Sequence, residues 1–496
     1  MEPATFNVLQ LSFSFLLVFS AYSSAAFISE VLLDQYAEKG MLEKHAGYHS
    51  QAIIYVVFTF SNFFAAPILN KIGTKPSLII GASTYLVFHI GFIVLNEILL
   101  YVLSAFLGFG AAIIWTAQGK YLSLNSGDSN TSKHSGLSWA IFQMCLICGG
   151  VFLYFLFDQS SLELKNFTKN MMFGIFAGIT FFGIVIMALL RNVTDAEQNE
   201  NVEGTFGLPA TDSTVGIVSR DNVVADADGN IDVVGEGEGD LNYDVIRGVE
   251  GVQEVVRSRV EDDITLYERL QKTISLATSS RIRLPLILFM YSGITQTFFG
   301  GVYPSMIGYS LGFGNNPKKN LALNMIFYGC GQTLGGLLFG IFSEKTKKLG
   351  REKIAFIGTV IVFIAFSLIF INFAEDSPYQ KTEADGIITP SLILALFCGF
   401  LLGCGDSLWN TQIYSLLITS FSDCSAEAFS IFKFFQSLVC SLGFFYAKWF
   451  VLKIHLIILA FCAVISTFSF IIIERNLRRI ESVETEEEVV GERAVL

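Results

Sequence analysis

The sequence predicts an all-α membrane protein with twelve transmembrane helices in two pseudo-symmetric six-helix bundles. Three observations predict it. The 496 residues are 52% hydrophobic and only 15% charged, where a soluble globular chain carries about 25% charged residues. The apolar residues gather in nearly charge-free runs of about 20 residues, long enough to cross a bilayer as helices and far longer than a barrel strand needs. These runs fall into two groups of six, parted by a long polar segment.

The first group runs Thr5–Ser29, Tyr48–Leu69, Pro76–Asn96, Ile98–Ala117, Ser135–Phe157 and Asn170–Leu190. No Lys or Arg precedes the first run, and it is too long for a signal-peptide core, so it is expected to remain as a span. The second group runs Leu284–Ile307, Leu321–Ser343, Ile354–Ala374, Pro390–Gln412, Ala428–Ala447 and Ile454–Ile473. The expected organisation is a bundle over 1–190, a linker over 191–283, a second bundle over 284–473 and an acidic tail over 474–496. The eight Cys sit within or between apolar runs and read as reduced, buried small residues.

The formal charge of −12 is concentrated outside the spans. Arg191 to Asp263 carries 18 acidic and 5 basic residues, and Glu474 to Leu496 carries 7 and 4. A nucleic-acid partner is therefore disfavoured, because no basic face remains to neutralise phosphates. With the N-terminus placed in the cytoplasm, inner segments hold 22 Lys and Arg against 9 in outer ones. That asymmetry places both termini and the long loop in the cytoplasm. The loop is too poor in apolar residues to fold alone. Near its end, Ile264, Leu266, Leu270, Ile274 and Leu276 form an approximate helical stripe. A short amphipathic helix is expected near 262–282, lying on the inner membrane face.

The two groups repeat each other. Ala66 to Lys75 ends span two with Asn70, Lys71, Gly73 and Lys75; span eight ends with Glu344, Lys345, Gly350 and Arg351. Both read as a tight turn in which Gly permits the bend and a polar side chain caps a helix or meets a cation. In span four, Gly108-Phe109-Gly110 leads to Trp115 and Gln118; in span ten, Gly403-Cys404-Gly405 leads to Trp409 and Gln412. The following spans both carry Phe-Gln, at Phe142-Gln143 and Phe435-Gln436. Matching signatures at matching spans imply duplication of a six-helix unit, with any solute site between the halves near mid-membrane.

This pattern resembles the major facilitator superfamily. The stretch GFGAAIIWTAQGKYLSLNS (Gly108–Ser126) is similar to the signature of its Unc-ninety-three-like family. The runs GCGDSLWNTQIYS (Gly403–Ser415), AFSIFKFFQS (Ala428–Ser437) and FFGGVYPSMIG (Phe298–Gly308) resemble one branch, the "major facilitator superfamily domain-containing protein eleven" group. The turn departs from the superfamily pattern at Ala66 (usually Gly), Asn70 (usually Asp) and Thr74 (usually basic), and its second copy has three extra residues before Gly350. The resemblance covers the membrane body but not the acidic loop. It implies either a secondary transporter for a small solute or ion, or a membrane partner that regulates channels or escorts receptors. The expected location is the plasma membrane or an endolysosomal membrane. Two loose Tyr-x-x-apolar matches, at Tyr243 and Tyr267, fit sorting signals or chance.

Asp406 in span ten and Lys433 in span eleven are the charges deepest in the spans, at matching depth. Each costs about 2.5–3.5 kcal/mol at a helix centre on insertion scales. They read as a gating ion pair, a static structural pair, or a lysine snorkelling to the headgroups. Gln118, Gln143, Gln412 and Gln436, with Asn324 and Gln332, read as cavity lining or as interhelical glue. Trp115 reads as cavity lining, or, like Trp409, as an anchor at the inner interface. His89 reads as a satisfied buried side chain, and Glu30 as a solvated carboxylate at the outer end of span one. Asn166 heads a sequon on a predicted outer loop and is a candidate for glycosylation. No metal-ligand spacing, phosphate loop or nucleophile elbow is present, so no metal, cofactor or enzymatic activity is expected. The bilayer is the one certain partner.

Overall fold

Long runs of Leu, Ile, Phe and Ala in lipid can satisfy their backbone only within helices. The computed structural model of the chain is accordingly built almost wholly of helices. It describes residues 2–43, 46–127, 130–157, 166–193, 223–225, 231–233, 266–314, 316–447 and 449–495. Twelve helices among these are long and apolar enough to cross a membrane.

The first six spans are α1 (Pro3–Glu38), α2 (Ala46–Ile72), α3 (Thr74–Gly91), α4 (Glu97–Leu124), α5 (Thr131–Phe157) and α6 (Asn166–Ala188). A short α7 (Leu266–Thr278) precedes the seventh span, which comprises α8 (Ser280–Thr297), a π-turn over Phe298–Val302 and α9 (Tyr303–Tyr309). Pro304 lacks the N–H that would close the preceding α-helical turn, which explains a wide turn at this place. The remaining spans are α10 (Pro317–Ile341), α12 (Arg351–Asn372), α13 (Leu392–Ser420), α14 (Ser425–Ala447) and α15 (Leu452–Val495), with a short α11 (Ser343–Leu349) after α10. The extra residues before Gly350 are absorbed in α11.

Several elements depart from expectation. Helix α1 has 36 residues and continues past Ser29 to Glu38. Helix α15 has 44 residues, so the acidic tail continues the last span as helix to Val495. Within the long linker, β1 (Val223–Ala225) pairs antiparallel with β2 (Ile231–Val233); most of the rest of 191–265 lies outside the described residues. Helix α7 exists, and its inward side shares Leu276 with the predicted stripe but not Ile274. Thr273 is buried and Leu276 and Ala277 pack on the core, while Ile274 is exposed. Ile264 lies outside the described residues. Helix α7 rests against α2 and α14, one from each half.

The outward faces are apolar: Ile98 is 76% and Ile393 81% exposed, with Phe60, Phe182 and Phe461 similar. Lipid tails accept such side chains at no cost, so these faces form the membrane belt of an integral multi-pass protein. Inside, one core gathers Phe15, Phe19, Leu78, Tyr85 and Phe173 from the first half. Two others form in the second half, around Phe289 and Phe432 and around Phe298 and Phe366.

The repeat survives in three dimensions. In α4, a Cβ on Gly108 would strike Ile54 of α2, and one on Gly110 would strike Thr84 of α3. In α13, a Cβ on Gly403 would strike Tyr328 of α10, and one on Gly405 would strike Val362 of α12. Each half thus seats its fourth helix on its second and third through the same Gly-x-Gly. The turns also match: Gly73 has φ +89° and Gly350 φ +92°, a region that L side chains enter only with strain.

The halves meet along two seams. Helix α5 lies against α10 through glycine, and a Cβ on Gly136 would lie 2.5 Å from the Gly340 amide nitrogen. Helix α2 lies against α14, where Phe63 and Phe434 have ring centres 4.3 Å apart and the Thr59 hydroxyl donates to Ser437 at 3.1 Å. On the side bearing the Gly73 and Gly350 turns, α4 also reaches α13 and α14. There Phe429 fills the space left by Gly119, and the Tyr414 hydroxyl donates to Gln118 Oε1 at 3.2 Å.

Candidate functional site

Burying a carboxylate in a membrane span is costly unless its oxygens are met by donors. Asp406 is 9% exposed and fully supplied. Its Oδ2 accepts from the Tyr328 hydroxyl at 3.0 Å and from Gln332 Nε2 at 2.5 Å. Its Oδ1 accepts from Asn410 Nδ2 at 2.9 Å. The helical period sets these partners: Asn410 lies one turn after Asp406, and Tyr328 and Gln332 lie one turn apart on α10.

Lys433 is 6% exposed on α14 and has a different environment. Its ammonium donates to Gln436 Oε1 at 2.9 Å, one turn away. It also lies 4.7 Å from the ring centre of Trp115, 4.7 Å from that of Phe432 and 5.7 Å from that of Tyr414. A desolvated ammonium over aromatic faces gains about 2 kcal/mol per good contact.

Asp406 and Lys433 do not touch; no nitrogen–oxygen distance between them falls within 4.0 Å. A chain of neutral groups joins them instead. Gln436 Nε2 donates to the Ser292 hydroxyl at 2.6 Å, Ser292 donates to Asn410 Oδ1 at 3.3 Å, and Asn410 donates to Asp406. The expected direct ion pair is thus absent from this conformation, and an indirect relay stands in its place.

The relay belongs to the second half; its Lys433 end meets a tryptophan of the first directly, and its Asp406 end does so through Gln332. Lys433 faces Trp115, and the Trp139 indole donates to Gln332 Oε1 at 2.8 Å. Aligning the repeats on Trp-x-x-Gln and Phe-Gln sets Asp406 against Ala112 and Lys433 against Ala140. One copy therefore carries the charges, and the other presents an aromatic wall. Trp115 joins Phe15, Phe19 and Phe142, with ring centres 5.7, 4.9 and 5.4 Å away.

The other sequence candidates divide. Gln118 is buried between the halves, and Gln436 is a link of the relay. Gln143 is buried on α5. Gln412 turns to its own neighbour, donating to Thr411 at 3.2 Å. Asn324 is buried with its Oδ1 unpaired. Of the two tryptophans offered as interfacial anchors, Trp115 lies in the aromatic wall, and Trp409 is buried, its indole donating to Thr359 at 3.3 Å. His89 is buried with Nδ1 at 3.1 Å from the Thr180 hydroxyl. Ser292, Tyr328 and Trp139 were not singled out in the sequence, and Asn410 and Tyr414 stood there only as members of the repeated signature around Trp409. The i+4 spacing of Asn410 from Asp406 was the available signal; a Ser or Tyr in an apolar helix carries none.

The turn residues act within and between halves. Asn70 Nδ2 donates to Glu427 Oε1 on α14 at 2.8 Å. Lys71 is exposed and Lys75 half-buried. Lys345 lies 5.5 Å from the Phe342 ring centre, whereas the Glu344 side chain lies outside the described residues. Arg351 pairs with the buried Glu474 of α15 at 2.7 Å and donates to Thr419 of α13, tying three helices of one half. Asn166 is the first residue of α6, and its side chain lies outside the described residues. All eight cysteines are free, and among the described residues no group of three or more His, Cys, Asp or Glu is placed to hold a metal ion.

Comparison with known proteins agrees with this architecture. Residues 38–471 match the family described as "Ion channel regulatory protein UNC-93". The chain is 30% identical to the UNC93-like protein MFSD11 of Xenopus laevis over 474 residues, covering 95% of this chain and 96% of that one. It is 22% identical to the human protein unc-93 homolog A, covering 92% and 91%. Among solved structures it is similar to the major facilitator superfamily transporter FucP in the outward conformation. That similarity has a TM-score of 0.57 and 15% identity, over 95% of this chain and 99% of FucP. The charged relay, the glycine-seated repeats and the twelve spans thus lie on a major-facilitator fold, and the chain belongs to the UNC-93 family.

Proposed function

We propose that this protein is a secondary carrier of a small solute or ion that works by alternating access, with the Asp406–Lys433 relay as its charge-bearing centre. The observation that carries this reading is the placement of the relay. Two buried charges are joined by neutral hydrogen-bonding groups, and the one on Lys433 faces the other half across the boundary where carriers of this fold bind their solutes. Keeping them in lipid-enclosed protein costs stability, and intramembrane ionisable groups mark solute or ion pathways by default. Lys433 and Asp406 lie in the same half, so rocking of the halves would act by drawing Trp115 off Lys433 and freeing its side chain to turn toward Asp406, which gives the gate two arrangements. The solved neighbour FucP is a fucose:proton symporter, and a gradient-driven carrier fits the same scheme.

The finer organisation follows the same reading. The bundles divide at about residue 190 and resume at about 284, and the excess of Lys and Arg supports a cytoplasmic turn side, with both termini, in the plasma membrane or an endolysosomal membrane. The contacts of Asn70, Gln118 and Gly119 with α13 and α14 then close the cytoplasmic side. The test is flux: purified protein in vesicles should move solute under a gradient, and Asp406→Asn and Lys433→Gln should abolish it while leaving the protein folded.

A second reading, a non-transporting regulator of an ion channel, is favoured by the family's own description and by the ring-filled interior around Trp115. Its signature is absence of flux from the pure protein together with altered current from a co-expressed channel. Flux without any partner would overturn it.

A further inference from the structure

We propose that Lys433 is the recognition group for an organic carboxylate with a flat apolar body, so that the carried solute is an organic anion; this rests on the carrier reading above. The argument starts from donors. An ammonium has three N–H groups. One of Lys433's goes to Gln436; the ammonium also lies over the rings of Trp115, Phe432 and Tyr414, and Asp406 acts on it only through space. Ring faces give the charge a place to rest but accept hydrogen bonds poorly. A carboxylate offers two oxygens and the opposite charge, and would make charge-assisted bonds that the protein itself does not supply.

Asp406 does not compete for this role. Its oxygens already take three hydrogen bonds, and it lies beyond 4.0 Å from Lys433. That saturation also argues against a cationic solute, because the carboxylate is occupied and the aromatic seat already holds a cation. A positive ligand on Trp115 would meet Lys433 head-on. The apolar body follows from the wall: Phe15, Phe19 and Phe142 pack on Trp115 with ring centres within 6 Å, so a solute that enters beside Lys433 when the halves part meets ring faces, and these three Phe offer no charge or hydroxyl to a polyhydroxylated body.

The experiment uses the full-length protein in detergent with benzoate, benzyl alcohol and benzylammonium as probes, read by tryptophan fluorescence and by the shift in unfolding temperature. Benzoate should bind saturably and raise the unfolding temperature; the two probes without a carboxylate should do neither. Lys433→Gln should weaken benzoate at least about tenfold, the size of a lost charge-assisted hydrogen bond, and Lys433→Arg should retain most of it. Trp115→Leu should weaken benzoate more than acetate. Equal binding of benzyl alcohol and benzoate to the unaltered protein, or undiminished benzoate binding by Lys433→Gln, would overturn the inference. The first comparison needs no variant, so a variant that fails to fold does not shield the claim. Benzoate binding without flux of any solute would defeat the carrier reading and leave anion recognition standing. Flux of a neutral or cationic solute with no benzoate binding would do the reverse.

Discussion

The Lys433 ammonium sits 4.7 Å from the centre of the Trp115 ring, across the boundary between two six-helix halves. One residue supplies a positive charge and the other an electron-rich face, and each comes from a different copy of the repeat. The relationship fixes how the halves sense each other, because displacing either helix uncovers a desolvated cation.

That contact should be measurable as a coupling energy. Trp115→Leu and Lys433→Gln, singly and together, should show non-additive losses of unfolding free energy of about 1–2 kcal/mol, the range for a desolvated cation–π contact. Thermal or denaturant unfolding in detergent gives the number. Strict additivity would mean that the two groups do not sense each other.

Asp406→Asn should act differently from Asp406→Leu. Asparagine keeps the shape but turns an amide donor toward the donors Gln332 or Asn410, with an expected loss of about 1.5–3 kcal/mol for a hydrogen-bonded charge. Leucine leaves the Tyr328 hydroxyl without its acceptor, Asn410 with only the backbone carbonyl of position 406 and Gln332 with only the Tyr328 hydroxyl, and should destabilise more. An order reversed from this, by unfolding temperature, would show that the carboxylate is not held by these donors.

Gly336 faces Ala140 so closely that an added Cβ would lie 2.8 Å from its backbone nitrogen. Gly336→Ala must push α5 from α10, at a cost of about 1–3 kcal/mol for overpacking. Gly174, whose Cβ would meet nothing within 4 Å, is the control: Gly174→Ala should be neutral or slightly stabilising through helix propensity. Paired unfolding measurements decide between the two outcomes.

The Arg351–Glu474 pair is largely buried, with the two side chains 20% and 7% exposed. Removing one partner strands the other, so Arg351→Ala should cost about 3 kcal/mol, tempered by the partial exposure of the arginine. The double change Arg351→Met with Glu474→Leu should recover much of that loss. If the single and double variants lose the same stability, the ion pair is not what ties α12 to α15.

Asn70 and Glu427 join the halves on the turn side. In a background without native cysteines, Asn70→Cys with Glu427→Cys should cross-link readily with a short bifunctional reagent in the resting protein. A bound solute that rocks the halves should change the yield. No cross-link under any condition would contradict the arrangement of α2 against α14.

The membrane body was legible in the sequence because lipid imposes a simple rule on length and polarity. The duplication was legible too, since Trp115 with Gln118 and Trp409 with Gln412 hold a fixed spacing in equivalent helices. The ends of the helices were not. Hydropathy stops where Glu30 and Asp34 begin, yet those residues remain compatible with helix, so α1 runs on to Glu38. The relay was half legible. Asp406, Lys433 and Gln436 declare themselves by polarity, while Ser292 and Tyr328 pass for ordinary residues until the fold brings them together. The stripe on α7 misled because a buried Thr273 faces the bundle in the place that apolar periodicity gave to Ile274.

The glycine contact of α5 with α10 has a mechanical consequence. Two rods that touch backbone to backbone at Gly136 and Gly336, with Leu137, Ile147 and Ile326 seated against glycines of the facing rod, resist separation and keep one common line of contact. Such a seam is an axle without a flexible loop. Motion of one half against the other would be guided along it, and a bulky residue on the rod would act as a brake rather than a break.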